Sequence, residues 1–191
     1  MRVGVLALQG DVREHVAMLH EVGVTATTVQ RPEQLDNLDG LIMPGGESTA
    51  IAHLLGTSGL REPLAQRMAQ GLAILGTCAG LILLSTTVID GRLDQWSYAA
   101  LDVAVRRNGY GRQTASFETE LDVVGVGMVP GVFIRAPRID SVGPGVDVLA
   151  RHDHGDGLHP VLVRQGAVWG ASFHPELTKD TRVHRLFLDS I

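Results

Sequence analysis

Apolar positions recur along the chain in two distinct rhythms. Residues 3–8 form a continuous apolar run that ends at Gln9-Gly10, after which Val12, Val16 and Leu19 recur at helical spacing up to Gly23. The pattern predicts strand, turn and helix. Residues 25–29 are β-branched, and residues 40–43 are apolar and stop at Pro44-Gly45-Gly46. Glu47-Ser48-Thr49 then opens a second helical stretch, so two βαβ-like units are expected. Residues 63–70 read as a helix and 72–75 as a strand. Residues 79–85 read as a helix apolar all round, hence deeply buried. The first half is expected to be a parallel α/β sheet. From residue 101 the rhythm changes to short β-rich segments at 101–105, 120–124, 129–134, 146–151, 161–164 and 168–173, which predict antiparallel strands. A helix over 181–188 closes the chain. No repeat or linker interrupts the pattern, and 191 residues predict one domain over 1–191.

Composition narrows the function. Sixteen Lys+Arg against 21 Asp+Glu give a formal charge of −5, without the basic stripe that nucleic-acid binding requires. Lys179 is the only lysine and follows no glycine-rich turn, which removes a Walker-type phosphate site and argues against Schiff-base chemistry. The longest apolar stretch, 72–84, is broken by Gly76, Thr77 and Gly80 and is too short to span a bilayer. The first ten residues read as a buried strand without a cleavage site, so the expected compartment is the cytoplasm. One cysteine, Cys78, excludes an intramolecular disulfide and a cysteine-built zinc site.

That cysteine stands in Gly76-Thr77-Cys78-Ala79-Gly80, between an apolar strand and an apolar helix. This is the pattern of a nucleophile elbow in thiol form, in which glycines two residues either side leave room for a tight strand-to-helix turn. A lone cysteine is more often a core residue, but this context favours a nucleophile, with the Ala79 N–H directed at a developing oxyanion. A thiol nucleophile needs a base. Of eight histidines only His174, in His174-Pro175-Glu176 after an apolar strand, has a carboxylate placed to orient it. In extended backbone residues 174 and 176 face the same side. His152, His154 and His159, with Asp153 and Asp156, lie in a Gly-rich hairpin loop and are read as solvated rather than metal-binding. His15, His20, His53 and His184 fall on predicted helices and are read as ordinary surface or half-buried residues. The Pro44–Ser48 turn offers N–H groups to an oxyanion and a carboxylate to an ammonium. Arg107 and Arg135 stand at predicted strand ends.

These motifs, in this order, resemble the class I, triad-type glutamine amidotransferases. The likeness narrows further. Ala7-Leu8-Gln9-Gly10 with Arg13-Glu14-His15, Pro44-Gly45-Gly46-Glu47-Ser48-Thr49 and Gly76–Leu81 resemble the family of glutaminase subunits of pyridoxal 5'-phosphate synthase. So do Arg107-Asn108 with Gly111-Arg112-Gln113, Ser116-Phe117-Glu118, Phe133-Ile134-Arg135-Ala136-Pro137 and Ser172–Leu177. The wording of 95–100 and of the 155–160 loop departs from the family pattern.

The resemblance implies a flavodoxin-like fold, with a mostly parallel mixed sheet flanked by helices. It implies a Cys78-His174-Glu176 triad, an oxyanion hole from Gly46 and Ala79, and L-glutamine held by Gly46, Glu47, Ser48, Arg107, Ile134 and Arg135. It also implies ammonia delivery to a separate synthase subunit, in a hetero-oligomer that builds pyridoxal 5'-phosphate, with no metal or cofactor in this chain. The chain alone is expected to be a weak glutaminase, switched on by its partner through the Pro44-Gly45-Gly46 turn. Three alternatives stay open at this point: a subunit serving another synthase, such as imidazole glycerol phosphate synthase; a non-catalytic regulatory module on the same fold; and a general cysteine hydrolase.

Overall fold

The computed structural model describes residues 1–91, 95–109 and 116–191. The Gly111-Arg112-Gln113 part of the motif above lies outside the described residues. In the first half, β1 (Val3–Leu6), β2 (Ala26–Val29), β3 (Gly40–Met43) and β4 (Ala73–Thr77) alternate with α1 (Val12–Glu21), α2 (Ser48–Thr57) and α3 (Arg61–Ala69). α3 starts two residues earlier than its apolar pattern suggests. Pro63 sits in its first turn, where a missing N–H breaks no helical bond. α4 (Ala79–Leu84) follows β4 and ends one residue before its predicted limit, because Ser85 opens an unpredicted strand, β5 (Ser85–Ile89).

The second half holds β6 (Leu101–Arg106), β7 (Ser116–Val123), β8 (Gly127–Ile134), β9 (Arg138–Val142), β10 (Asp147–Asp153), β11 (Leu158–Gln165), β12 (Val168–Ala171) and α5 (Arg182–Leu188). Among these, β9 has no counterpart in the sequence expectation. Three sheets result. The largest has the order β10-β11-β12-β4-β3-β1-β2. It is parallel from β12 to β2 and antiparallel across β10, β11 and β12. A smaller sheet, β5-β6-β9, packs beside it, and β7-β8 is an antiparallel hairpin. This is the mixed, centrally parallel α/β architecture expected.

β3 and β4 are buried along their whole length, as strands covered on both faces must be. α4 is buried at all six positions. Six residues are too few for an isolated helix; burial of Leu81, Ile82, Leu83 and Leu84, at about 1.5–3 kcal/mol each, holds it instead. That packing fixes the residue immediately before it, Cys78. Among the described residues no helix is long and apolar enough to cross a membrane.

Candidate active site

Four loops meet where β1, β3, β4 and β12 end. Cys78, between β4 and α4, adopts φ 49° and ψ −101°, in the left-handed region that non-glycine residues rarely enter. Such a conformation costs roughly 1–3 kcal/mol and persists only when its surroundings enforce it. Here the Cys78 N–H donates to the Ala171 carbonyl at 2.8 Å. A Cβ on Gly76 would lie 2.6 Å from the Gly80 carbonyl carbon, and one on Gly80 would strike the Met43 carbonyl oxygen. The elbow geometry expected of Gly-Thr-Cys-Ala-Gly is therefore present, and both glycines are needed for close backbone approach.

His174 follows β12 by three residues, and its N–H donates to the Val132 carbonyl at 2.8 Å. Its Nδ1 lies 2.8 Å from Glu176 Oε1, as the motif suggested, although not by the expected route. Pro175–Leu177 is a turn of 3-10 helix rather than extended strand, so Glu176 reaches back across the turn. Asp11 Oδ2 is also 3.3 Å from Nδ1. Burial disfavours the imidazolium, but hydrogen bonds to Asp11, Cys78 and Glu176 outweigh it and push the His174 pKa up to about 12. Burial raises the Glu176 carboxyl, against the opposing pull of His174.

A cavity of about 150 Å³ opens beside Cys78, lined by Gly46, Glu47, Ser48, Ile82, Arg107, Asn108, Ile134 and Arg135. An adjoining cavity of about 250 Å³ reaches His174, Gln9 and Asp11. The structure thus gathers every residue expected to bind substrate around the thiol, with Ala79 at the first position of α4. Glu47 and Arg107 are not independent charges, because Arg107 Nη2 donates to Glu47 Oε1 at 3.0 Å. Arg107 Nη1 donates to Gln95 Oε1 at 3.0 Å and to Thr49 Oγ1 at 3.3 Å. Glu47 is the N-cap of α2 rather than part of its first turn, accepting from the Thr49 and Ala50 N–H groups. Burial is the largest single influence and raises its carboxyl, but the N–H donors, Thr49 and Arg107 together outweigh it and bring it below its ordinary value. The Glu47 N–H donates to Gln9 Oε1 at 2.8 Å, which ties the turn after β3 to the turn after β1.

Sequence reasoning missed four contributors. Asp11 is the N-cap residue of α1, and an Asp directly before a helical run was its only signal. Gln95 belongs to the segment that departs from the family pattern. His15 and His184, read as surface or half-buried, are fully buried, and His15 sits directly behind Glu176. His20 and His53 are exposed, as expected; of the residues read as a solvated loop only 154–157 form the tip of the β10-β11 hairpin, whereas His152 and Asp153 end β10, His159 lies in β11, and His152 stacks against Phe117 and Phe133.

The fold and this constellation define a glutamine amidotransferase-type α/β protein. Residues 5–191 match the model of the SNO glutamine amidotransferase family, and the chain belongs to that family. It is 55% identical over 192 residues to a pyridoxal 5'-phosphate synthase subunit PdxT from Parafrankia sp., covering 100% of this chain and 93% of that protein. It is 52% identical over 190 residues to the PdxT of Mycobacteroides abscessus, covering 99% and 96%. A crystal structure of a glutamine amidotransferase superposes with a TM-score of 0.92 at 50% identity, covering 98% of this chain and 97% of that one. PurLQS from Thermotoga maritima, at 19% identity and a TM-score of 0.73 over 98% and 97% of the two chains, shares the fold.

Proposed function

We propose that residues 1–191 act as one glutamine amidotransferase domain that hydrolyses L-glutamine to L-glutamate and ammonia, and passes the ammonia to a separate synthase subunit making pyridoxal 5'-phosphate. The observation that carries this reading is the Cys78–His174–Glu176 arrangement beside a cavity lined by a carboxylate and a guanidinium. The Cys78 thiol passes its proton to His174 as Sγ attacks the carboxamide carbon, and the oxyanion accepts hydrogen bonds from the Ala79 and Gly46 N–H groups. His174 gives its proton to the departing nitrogen, releasing ammonia and leaving a γ-glutamyl thioester. It then takes a proton from the attacking water, and thioester cleavage returns glutamate and the thiol. Glu176 orients the imidazole throughout.

The α-carboxylate of glutamine pairs with Arg107 and its α-ammonium with Glu47, while Ser48, Ile134 and Arg135 complete the pocket. The existing Arg107–Glu47 pair is partly exposed and worth only about 0–1 kcal/mol, so a zwitterion can open it at little cost. The synthase subunit acts as the switch. The Gln9 bond to the Glu47 N–H gives it a handle on the Gly45-Gly46 turn, because a partner touching Gln9 changes what holds that turn. The names of the relatives favour this partner over a different synthase or a non-catalytic module. The chain works in the cytoplasm.

Glutamine hydrolysis measured with and without the synthase subunit, for wild type and Cys78→Ala, tests the proposal. Stimulated turnover that vanishes in Cys78→Ala is expected. Equal kcat with and without the partner would refute the switch, and turnover by Cys78→Ala would refute the nucleophile.

A further inference from the structure

Behind Glu176 lies a polar chain that the reaction scheme does not use. His15, on α1, is completely buried. Its Nδ1 is 3.0 Å from His184 Nε2, on α5. Its Nε2 is 3.2 Å from Thr77 Oγ1, the residue before the nucleophile, and 3.4 Å from Glu176 Oε2. Glu176 Oε1 is taken by His174. Among the described residues, Glu176 Oε2 and His184 Nδ1 have no hydrogen-bond partner. Polar atoms are rarely buried without a reason.

The proton order along this chain can be deduced. A neutral imidazole carries one N–H. If His15 held it on Nδ1, donating to His184 Nε2, then His184 would carry its own proton on Nδ1, a buried donor with no acceptor. The bare Nε2 of His15 would also face a carboxylate oxygen. With the opposite order, His184 Nε2–H donates to His15 Nδ1, and His15 Nε2–H points toward Thr77 Oγ1 and Glu176 Oε2. His184 Nδ1 is then left with an unfilled lone pair, a smaller penalty than an unsatisfied buried donor.

We propose that His15 is a positioning residue, whose Nε2–H, set by His184, fixes the plane of the Glu176 carboxylate so that Oε1 faces His174. This rests on the Cys78–His174–Glu176 reading above. Burial and the neighbouring His184 and His174 hold the His15 pKa well below its usual value. That neutrality matters. An imidazolium at this position would compete with His174 for the carboxylate, whereas a neutral N–H orients it without neutralising it.

The test compares His15→Leu, which removes the donor and keeps apolar volume, with His15→Gln, whose side-chain amide restores an N–H near the place of Nε2. Both are assayed with the synthase subunit saturating, alongside Cys78→Ala, and each fold is checked by thermal melting. The expected result is a kcat loss of tenfold or more in His15→Leu with KM changed less than twofold, and recovery of most of that loss in His15→Gln. An unchanged kcat in His15→Leu, or an equal loss in His15→Gln, overturns the positioning role while an inactive Cys78→Ala leaves the triad standing. An active Cys78→Ala overturns the triad and this inference with it. Independently of any variant, 15N spectra of the wild-type histidine rings are expected to show His15 protonated on Nε2. A proton on Nδ1 overturns the proposal even if His15→Leu does not fold.

Discussion

Gly45→Ala tests the placement of the base and of the Asp11 carboxylate beside it. Gly45 is buried, and its φ lies outside the left-handed region, so alanine meets no backbone strain there. The obstacle is the imidazole. A Cβ at residue 45 would lie 2.9 Å from His174 Nδ1, closer still to Cε1, and 3.0 Å from Asp11 Oδ2. Carbon contacts settle at about 3.5–4.0 Å, so the ring must retreat by about 1 Å. That motion stretches its 2.8 Å bond to Glu176 and shifts the nitrogen that serves Cys78. A misplacement of about 1 Å in a catalytic group costs roughly 10²-fold in rate, or about 2.7 kcal/mol of transition-state stabilisation. Steady-state glutaminase assays with saturating synthase subunit, paired with a thermal melt, read both sides of the argument. The expected outcome is a folded protein with KM little changed and kcat down about a hundredfold. A folded Gly45→Ala enzyme with kcat within about threefold of wild type would show that the imidazole does not depend on this close approach.

Glu176→Gln should lower kcat less than His174→Asn, because Glu176 orients the ring without entering a bond; the reverse order at matched stability contradicts these roles. Arg107→Ala should raise KM for glutamine by the roughly 1.5–3 kcal/mol of a charge-assisted contact, and wild-type KM and kcat would remove Arg107 from the pocket. Asp11→Asn should lower the His174 pKa, since Asp11 helps to hold it up, and an NMR titration of the ring that does not move would discount that contact. Burial lowers His184 to about 4 and His15 well below its usual value, so the unfolded chain binds more protons than the native one below about pH 6.5. The stability that depends on these two histidines is therefore complete above about pH 6.5 and falls on acidification, by roughly 1.4 kcal/mol per pH unit for each of them. The raised pKa of His174 adds no slope in that window, since both native and unfolded forms are charged there. Urea midpoints at pH 7 and pH 5 measure the fall, and equal midpoints would refute buried neutral histidines.

Much of the architecture is visible in local pattern. β3 matches its predicted bounds because Pro44 and the two glycines punctuate an uninterrupted apolar run. The elbow is legible because Gly76 and Gly80 flank Cys78 at the spacing that close packing demands. β5 was missed although Thr86, Thr87, Val88 and Ile89 are all β-branched or carry strand propensity, because the apolar run before it drew the reading into the helix. β9, Arg138–Val142, is mostly polar and earns its strand from pairing with β6, a partner distant in sequence. The route from His174 to Glu176 departs from strand alternation because β12 ends at Ala171 and Pro175–Leu177 turns into 3-10 helix. His15 and His184 could not be recognised from helical position alone. Their burial arises from α1 and α5 meeting over Thr77, a contact between the two ends of the chain.

The place of β12 in the large sheet has a consequence for the birth of the protein on the ribosome. β12 lies between β4 and β11, so the proposed base and its carboxylate join the proposed nucleophile only when the last quarter of the chain inserts beside a strand made much earlier. Nearly half of the sequence separates Cys78 from His174, which at typical synthesis rates is on the order of ten seconds. Throughout that interval the nascent chain carries a thiol with no base, and α1 has no α5 to seal His15. On the proposed triad, hydrolysis of glutamine begins only once β12 and the residues after it are in place, and a product that stops before β12 is expected to release no ammonia.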